Sequence, residues 1–184
     1  PMTETEIRQA VLSVAKEMIT CGLVEGTAGN VSARLPDGNV ILTPSSLDYK
    51  TMTLEDLVVT DIDGKVLEGH RTPTTEKSLH LACLKKHQDI GAVMHCHAMF
   101  ATMFAIVRLP IPCVIEEFDV YVGGDVPVAD YHMTGSDALA EAGFGSDAHI
   151  APCSDDADFP IAKHQTSKRR RGPGHNSHLP FVNG

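Results

Sequence analysis

Apolar residues recur every three or four positions at the start of the chain: Ile7, Val11, Val14, Ala15, Met18 and Ile19. That spacing predicts a helix with one apolar side. Thr3 and Glu6 ahead of it have the separation of a capping box, and Gly22 is a natural stop. After a loop of small residues at 26–30, short extended runs take over. Residues 31–34 and 40–42 flank Pro36, Asp37, Gly38 and Asn39, which predicts a hairpin. Residues 57–59 and 66–67 flank Asp61, Asp63 and Gly64 and predict a second. Pro73 and Thr74-Thr75-Glu76 then open a helix carrying Leu79, Ala82 and Cys83, ending near His87. Residues 92–97 read as a buried strand, 101–107 as a helix and 114–122 as extended. Antiparallel hairpins interleaved with single helices predict one α/β domain, without repeats and without a βαβ series.

The pattern fades near Glu141. Residues 143–184 are rich in Gly, Pro, Ser, Asp and His and lack sustained apolar periodicity, so they read as loop or disorder. The run Lys168-Arg169-Arg170-Arg171 has no aromatic platform beside it and reads as a solvated tail. With 15 Lys and Arg against 24 Asp and Glu, the net charge of −9 disfavours nucleic acid as a partner. A phosphorylated small molecule stays open, because backbone amides bind one phosphate without global positive charge. No apolar run approaches the roughly 20 residues of a membrane span, and the polar start of the chain is unlike a secretory signal. The expectation is a cytoplasmic protein. Five cysteines (Cys21, Cys83, Cys96, Cys113, Cys153) without CxxC spacing predict buried reduced thiols.

Candidate chemistry gathers in three places. His95 and His97, two apart on an expected strand, would project to one face as ligands of one divalent metal. Packing or surface histidines would leave the same pattern. Glu76, after the Pro-Thr-Thr turn, can be a ligand, a general base, or a helix-start acid favoured by the macrodipole. A catalytic zinc takes three protein ligands, so using Glu76 as base calls for a third histidine. Gly26 and Gly29 permit close backbone approach to an anion, and Thr27, Asn30, Ser45, Ser46, Thr74 and Thr75 add neutral donors from three loops. Converged, these loops form a phosphate cradle; separately, each residue is an ordinary turn or cap residue.

In this order and spacing, the segments Gly26-Thr27-Ala28-Gly29-Asn30-Val31-Ser32, Thr43-Pro44-Ser45-Ser46, Thr74-Thr75-Glu76 and His95-Cys96-His97 resemble the class II aldolase and adducin-head family. The likeness is strongest to its L-fuculose-phosphate aldolase branch. Ile111-Pro112, Gly123-Gly124 and Ala129-Asp130-Tyr131 resemble further landmarks, so the likeness covers about residues 5–142. It implies a three-layer α/β/α domain around a largely antiparallel sheet, and a homotetramer with sites at subunit interfaces. It implies Zn²⁺ on His95 and His97, with Glu76 a ligand at rest and the acid/base in turnover. Thr27, Asn30, Ser45, Ser46, Thr74 and Thr75 would hold the phosphate of a sugar-phosphate substrate. The activity implied is reversible aldol cleavage of a short ketose phosphate, such as L-fuculose 1-phosphate, to dihydroxyacetone phosphate and an aldehyde. The alternatives are a ribulose-5-phosphate 4-epimerase and a non-catalytic member of the fold.

The chain departs from the family in two ways. The third zinc histidine expected beyond Tyr131 has no matching motif, which leaves His149 and His164 as candidates. Where the family carries a tyrosine, this chain has Glu117, with Tyr121 four residues on. Residues after about 142 are expected to be a replaced or frame-shifted ending.

Overall fold

A computed structural model describes residues 2–133, Ser136 and Ala138. The expectations for residues 143–184, with His149, His164, Cys153 and the basic run, lie outside the described residues.

Helix α1 spans Glu4–Thr20. Its N-terminus is closed by the expected capping box. The Glu6 amide donates to Thr3 Oγ1 at 3.3 Å, and Thr3 N donates to Glu6 Oε2 at 2.6 Å. The bonds that Thr3 N and Thr3 Oγ1 donate to it hold the Glu6 carboxyl below its usual range. Val11, Ala15 and Met18 face inward, and Gly22 ends the helix at φ 70°. Strands β1 (Asn30–Arg34) and β2 (Val40–Leu42) form the first hairpin, and β3 (Val58–Thr60) and β4 (Val66–Glu68) the second. Helix α2 covers Lys77–Lys86 and strand β5 Ala92–His95. The sheet order is β4-β3-β2-β1-β5, every neighbouring pair antiparallel.

The pleat sends alternate residues to opposite faces. Val31, Ala33, Ile41 and Val59 pack with α1, while Val40, Leu42 and Val93 pack with Leu81 and Leu84 of α2. A helix on each face of the sheet makes the expected α/β/α layering. Replacing fully buried Ile41 by Val should cost about 0.5–1.5 kcal/mol, read as a lower denaturant midpoint at unchanged slope.

Three expectations are corrected. The strand expected over 92–97 ends at His95 and buries only Val93, because β5 is an edge strand paired solely with β1 among the described residues. Residues 114–122, read as extended, contain helix α4 (Glu116–Val122), which follows α3 (Met99–Ile106). Glu116, Glu117 and Asp119 sit in the first turn of α4, where the macrodipole favours acids, and Gly123 caps it at φ 87°. β-propensity in Val114, Ile115, Val120 and Val122 had masked these end signals. Of the four described cysteines only Cys83 is buried; Cys21 is exposed just past α1. Among the described residues, no helix is long and apolar enough to cross a membrane.

Candidate metal and acid/base site

The site lies where the start of α2 meets the edge of β1 and the end of β5. Cross-strand pairing sets Asn30 opposite His95. Glu76 is the residue before α2 and makes no capping bond of its own. Its side chain turns inward instead: Oε2 accepts from Asn30 Nδ2 at 2.8 Å and lies 3.2 Å from His95 Nε2. His95 Nε2 is in turn 2.9 Å from His97 Nε2, the two rings perpendicular. Although His97 has left the strand, its amide donates to the Leu23 carbonyl at 3.0 Å, which steers the side chain back beside His95.

Burial lowers the basicity of His95, against the pull of the Glu76 carboxylate, and neighbouring His97 adds to the lowering. A neutral imidazole is the form that ligates a metal. One proton on His95 Nε2 cannot serve both Glu76 Oε2 and His97 Nε2 well, and a cation among the three atoms would satisfy all of them. The donor set therefore fits a divalent metal in type. Two nitrogens at about 2.0–2.1 Å from a tetrahedral zinc stand roughly 3.3 Å apart, so the histidines need open only a few tenths of an ångström. As they stand, no three His, Cys, Asp or Glu side chains among the described residues form a metal cage.

The hydroxyl loops converge in part. An isolated bridge between Pro44 and Pro73 joins the two segments, with Ser45 N donating to Thr72 O at 2.9 Å and Thr74 N to Thr43 O at 3.1 Å. That places Ser45 and Ser46, whose hydroxyls lie 3.3 Å apart, beside Thr74 and Thr75. Ser46 adopts φ 58°, uncommon for a residue with a side chain. Thr75 is exposed, whereas Thr74 is buried and accepts from the Glu76 amide through Oγ1 at 3.3 Å. Thr27 is exposed on the preceding loop, with no hydrogen bond to either group among the described residues. The Asn30 amide is held on both sides, Nδ2 by Glu76 and Oδ1 by His80 Nε2. Helix α4 sets Glu117 and Tyr121 one turn apart, both exposed.

His80 and Ser32 were missed at the sequence level. His80 follows Glu76 by four residues, one helical turn, and Ser32 follows Asn30 by two, the same strand face. Asn30, Ser32 and Arg34 alternate along β1 and all three meet α2, Arg34 donating to the Leu84 carbonyl at 2.6 Å.

Known proteins resemble this chain in sequence and in fold. Residues 9–153 match the model of the Class II Aldolase and Adducin N-terminal domain. The chain is similar to a 5-deoxy-D-ribulose 1-phosphate aldolase of Bacillus thuringiensis serovar kurstaki, 36% identical over 138 residues, covering 74% of this chain and 64% of that protein. It is also similar to an L-ribulose-5-phosphate 4-epimerase of Salmonella paratyphi B, 37% identical over 123 residues, covering 66% of this chain and 54% of that one. Among solved structures, an L-fuculose 1-phosphate aldolase superposes with TM-score 0.72 at 33% identity, over 77% of this chain and 66% of that chain. The chain thus spans less than two thirds of the length of these curated relatives. By its matched residues, its fold and its identity to these proteins, the chain belongs to the class II aldolase and adducin N-terminal domain family.

Proposed function

We propose that this protein is a zinc-dependent aldolase that reversibly cleaves a short ketose phosphate, of the L-fuculose 1-phosphate kind, to dihydroxyacetone phosphate and an aldehyde. The observation that carries this reading is the approach of Glu76 Oε2, His95 Nε2 and His97 Nε2 to within 3.2 Å of their neighbours at one edge of the sheet. His95, His97 and Glu76 would hold the metal, which when bound supplies Lewis-acid polarisation of the substrate carbonyl. Ser45, Ser46, Thr74 and Thr75, with Thr27 on the loop before β1 and the second Nδ2 N–H of Asn30 at the start of β1, would orient the phosphate through neutral donors. On cleavage the hydroxyl of the departing aldehyde loses its proton to solvent as the C–C bond breaks, the electron pair stays on the three-carbon fragment, and Glu76, protonated from solvent, delivers a proton to that carbon; in the synthetic direction it removes one. Exposed apolar side chains on α3 and α4, among them Phe100, Ile106 and Val120, support a homotetramer in which this face is covered.

Metal content and product release test the reading together. Protein purified without added zinc should carry about one zinc per chain and release dihydroxyacetone phosphate from L-fuculose 1-phosphate. A His95→Ala/His97→Ala double variant should lose both. A folded parent chain with neither zinc nor product would sink the proposal. The similarity to an L-ribulose-5-phosphate 4-epimerase favours a second reading, in which the substrate is epimerised and no dihydroxyacetone phosphate appears.

A further inference from the structure

The buried face of β1 beneath α2 carries a hydrogen-bonded chain that ends on Glu76. Ser32 Oγ lies 2.6 Å from His80 Nδ1, His80 Nε2 2.5 Å from Asn30 Oδ1, and Asn30 Nδ2 2.8 Å from Glu76 Oε2. All four side chains are buried, Ser32 and His80 completely. The last link sets the direction of the rest. A carboxylate only accepts, so the amide group facing Glu76 must be Nδ2, and Oδ1 must face His80. His80 Nε2 is then the donor to Oδ1, its Nδ1 carries the lone pair, and Ser32 donates its hydroxyl proton to Nδ1. One tautomer satisfies every member.

We infer that His80 and Ser32 are positioning residues for the acid/base carboxylate: they lock the Asn30 amide so that its N–H, and not its carbonyl, faces Glu76 Oε2. The inference rests on the proposed role of Glu76. Two facts support it. The His80 ring is completely buried between Ser32 Oγ and Asn30 Oδ1, so neither of its nitrogens is open to solvent. And α2 places an imidazole where its neighbours Leu81 and Leu84 are apolar, at a position where a leucine would avoid the cost of burying polar nitrogens. Without the lock, Asn30 can turn over and present its carbonyl to the carboxylate. Repulsion then moves Glu76 away from His95.

Three substitutions in the full, zinc-loaded chain separate this from a packing role. In His80→Gln the amide nitrogen reaches the place of Nε2 and still donates to Asn30. In His80→Asn the shorter side chain replaces only Nδ1, and His80→Phe fills the space without donors. The Asn and Phe variants should lose about 10–100-fold in kcat, as expected for a lost bond supporting a charged group. Their KM should stay within about twofold. Gln should recover most of that loss, although Phe matches the ring better in shape. Equal activity for Gln, Asn and Phe, or a loss confined to KM, would overturn the inference.

Imidazole nitrogen NMR of the unaltered chain supplies a readout that needs no activity. It should find His80 protonated at Nε2 and bare at Nδ1; the opposite tautomer would overturn the inference. A parent chain that releases no dihydroxyacetone phosphate would sink the proposed activity alone, and the tautomer would still decide the orientation of Asn30.

Discussion

Glu76→Gln should lower the retro-aldol rate about 10²–10⁴-fold, the usual contribution of a positioned general acid or base. Gln keeps the length and planarity of the side chain, and its carbonyl can still accept from Asn30 Nδ2. What it loses is the capacity to take and return a proton. Because Glu76 Oε2 also faces His95 at 3.2 Å, the variant is expected to hold zinc more weakly, so rates must be compared at saturating metal. The check is steady-state kinetics beside a thermal melt. A variant that melts with the parent and works within tenfold of its rate would remove Glu76 from the proton transfer.

Gly29→Ala is expected to be the most destabilising single methyl in the described part of the chain, at about 3 kcal/mol or more. Gly29 has φ 74°, in the left-handed region where a Cβ is strained. That Cβ would stand 2.5 Å from Val24 Cγ1 and 2.8 Å from the His95 carbonyl oxygen, neither of which is the loose end of a flexible side chain. The Tyr49 hydroxyl also donates to the Gly29 carbonyl, so the backbone there has little room to retreat. Relief has to come from β5 moving outward, which takes His95 away from Glu76. Chemical denaturation should therefore find a lower midpoint, and zinc titration a weaker site, in the same variant. A midpoint unchanged from the parent would mean that the loop before β1 gives way at little cost.

Much of this architecture could be read from the sequence because it is written in local terms. The capping box at Thr3 and Glu6, the turn glycines at 38 and 64, and the period-two runs on either side of them depend on near neighbours. The approach of Glu76 to His95 came instead from likeness to a family, since no local signal relates residues so far apart. Local reading failed where two signals competed. At 114–122 the β-branched residues outweighed three acids and a following glycine, and the helix was missed. Alternation of polar residues is also a poor guide to exposure in this sheet. Asn30, Ser32 and Arg34 form a polar stripe, yet α2 covers it and supplies a partner for each. Gly29 was read as a place for an anion to approach; its neighbour in the structure is the backbone of β5.

The strand order has a kinetic meaning as well. Each hairpin closes over a short turn, while β5 must find β1 across the whole of both hairpins and α2. Contacts of such long sequence separation are closed late, after their entropy has been offset by local structure. His95 joins Asn30 and Glu76 only across that final seam, so the chain can be largely ordered while it is still chemically incompetent. Recovery of function after denaturation is then a marker for the last event of folding, the addition of one edge strand.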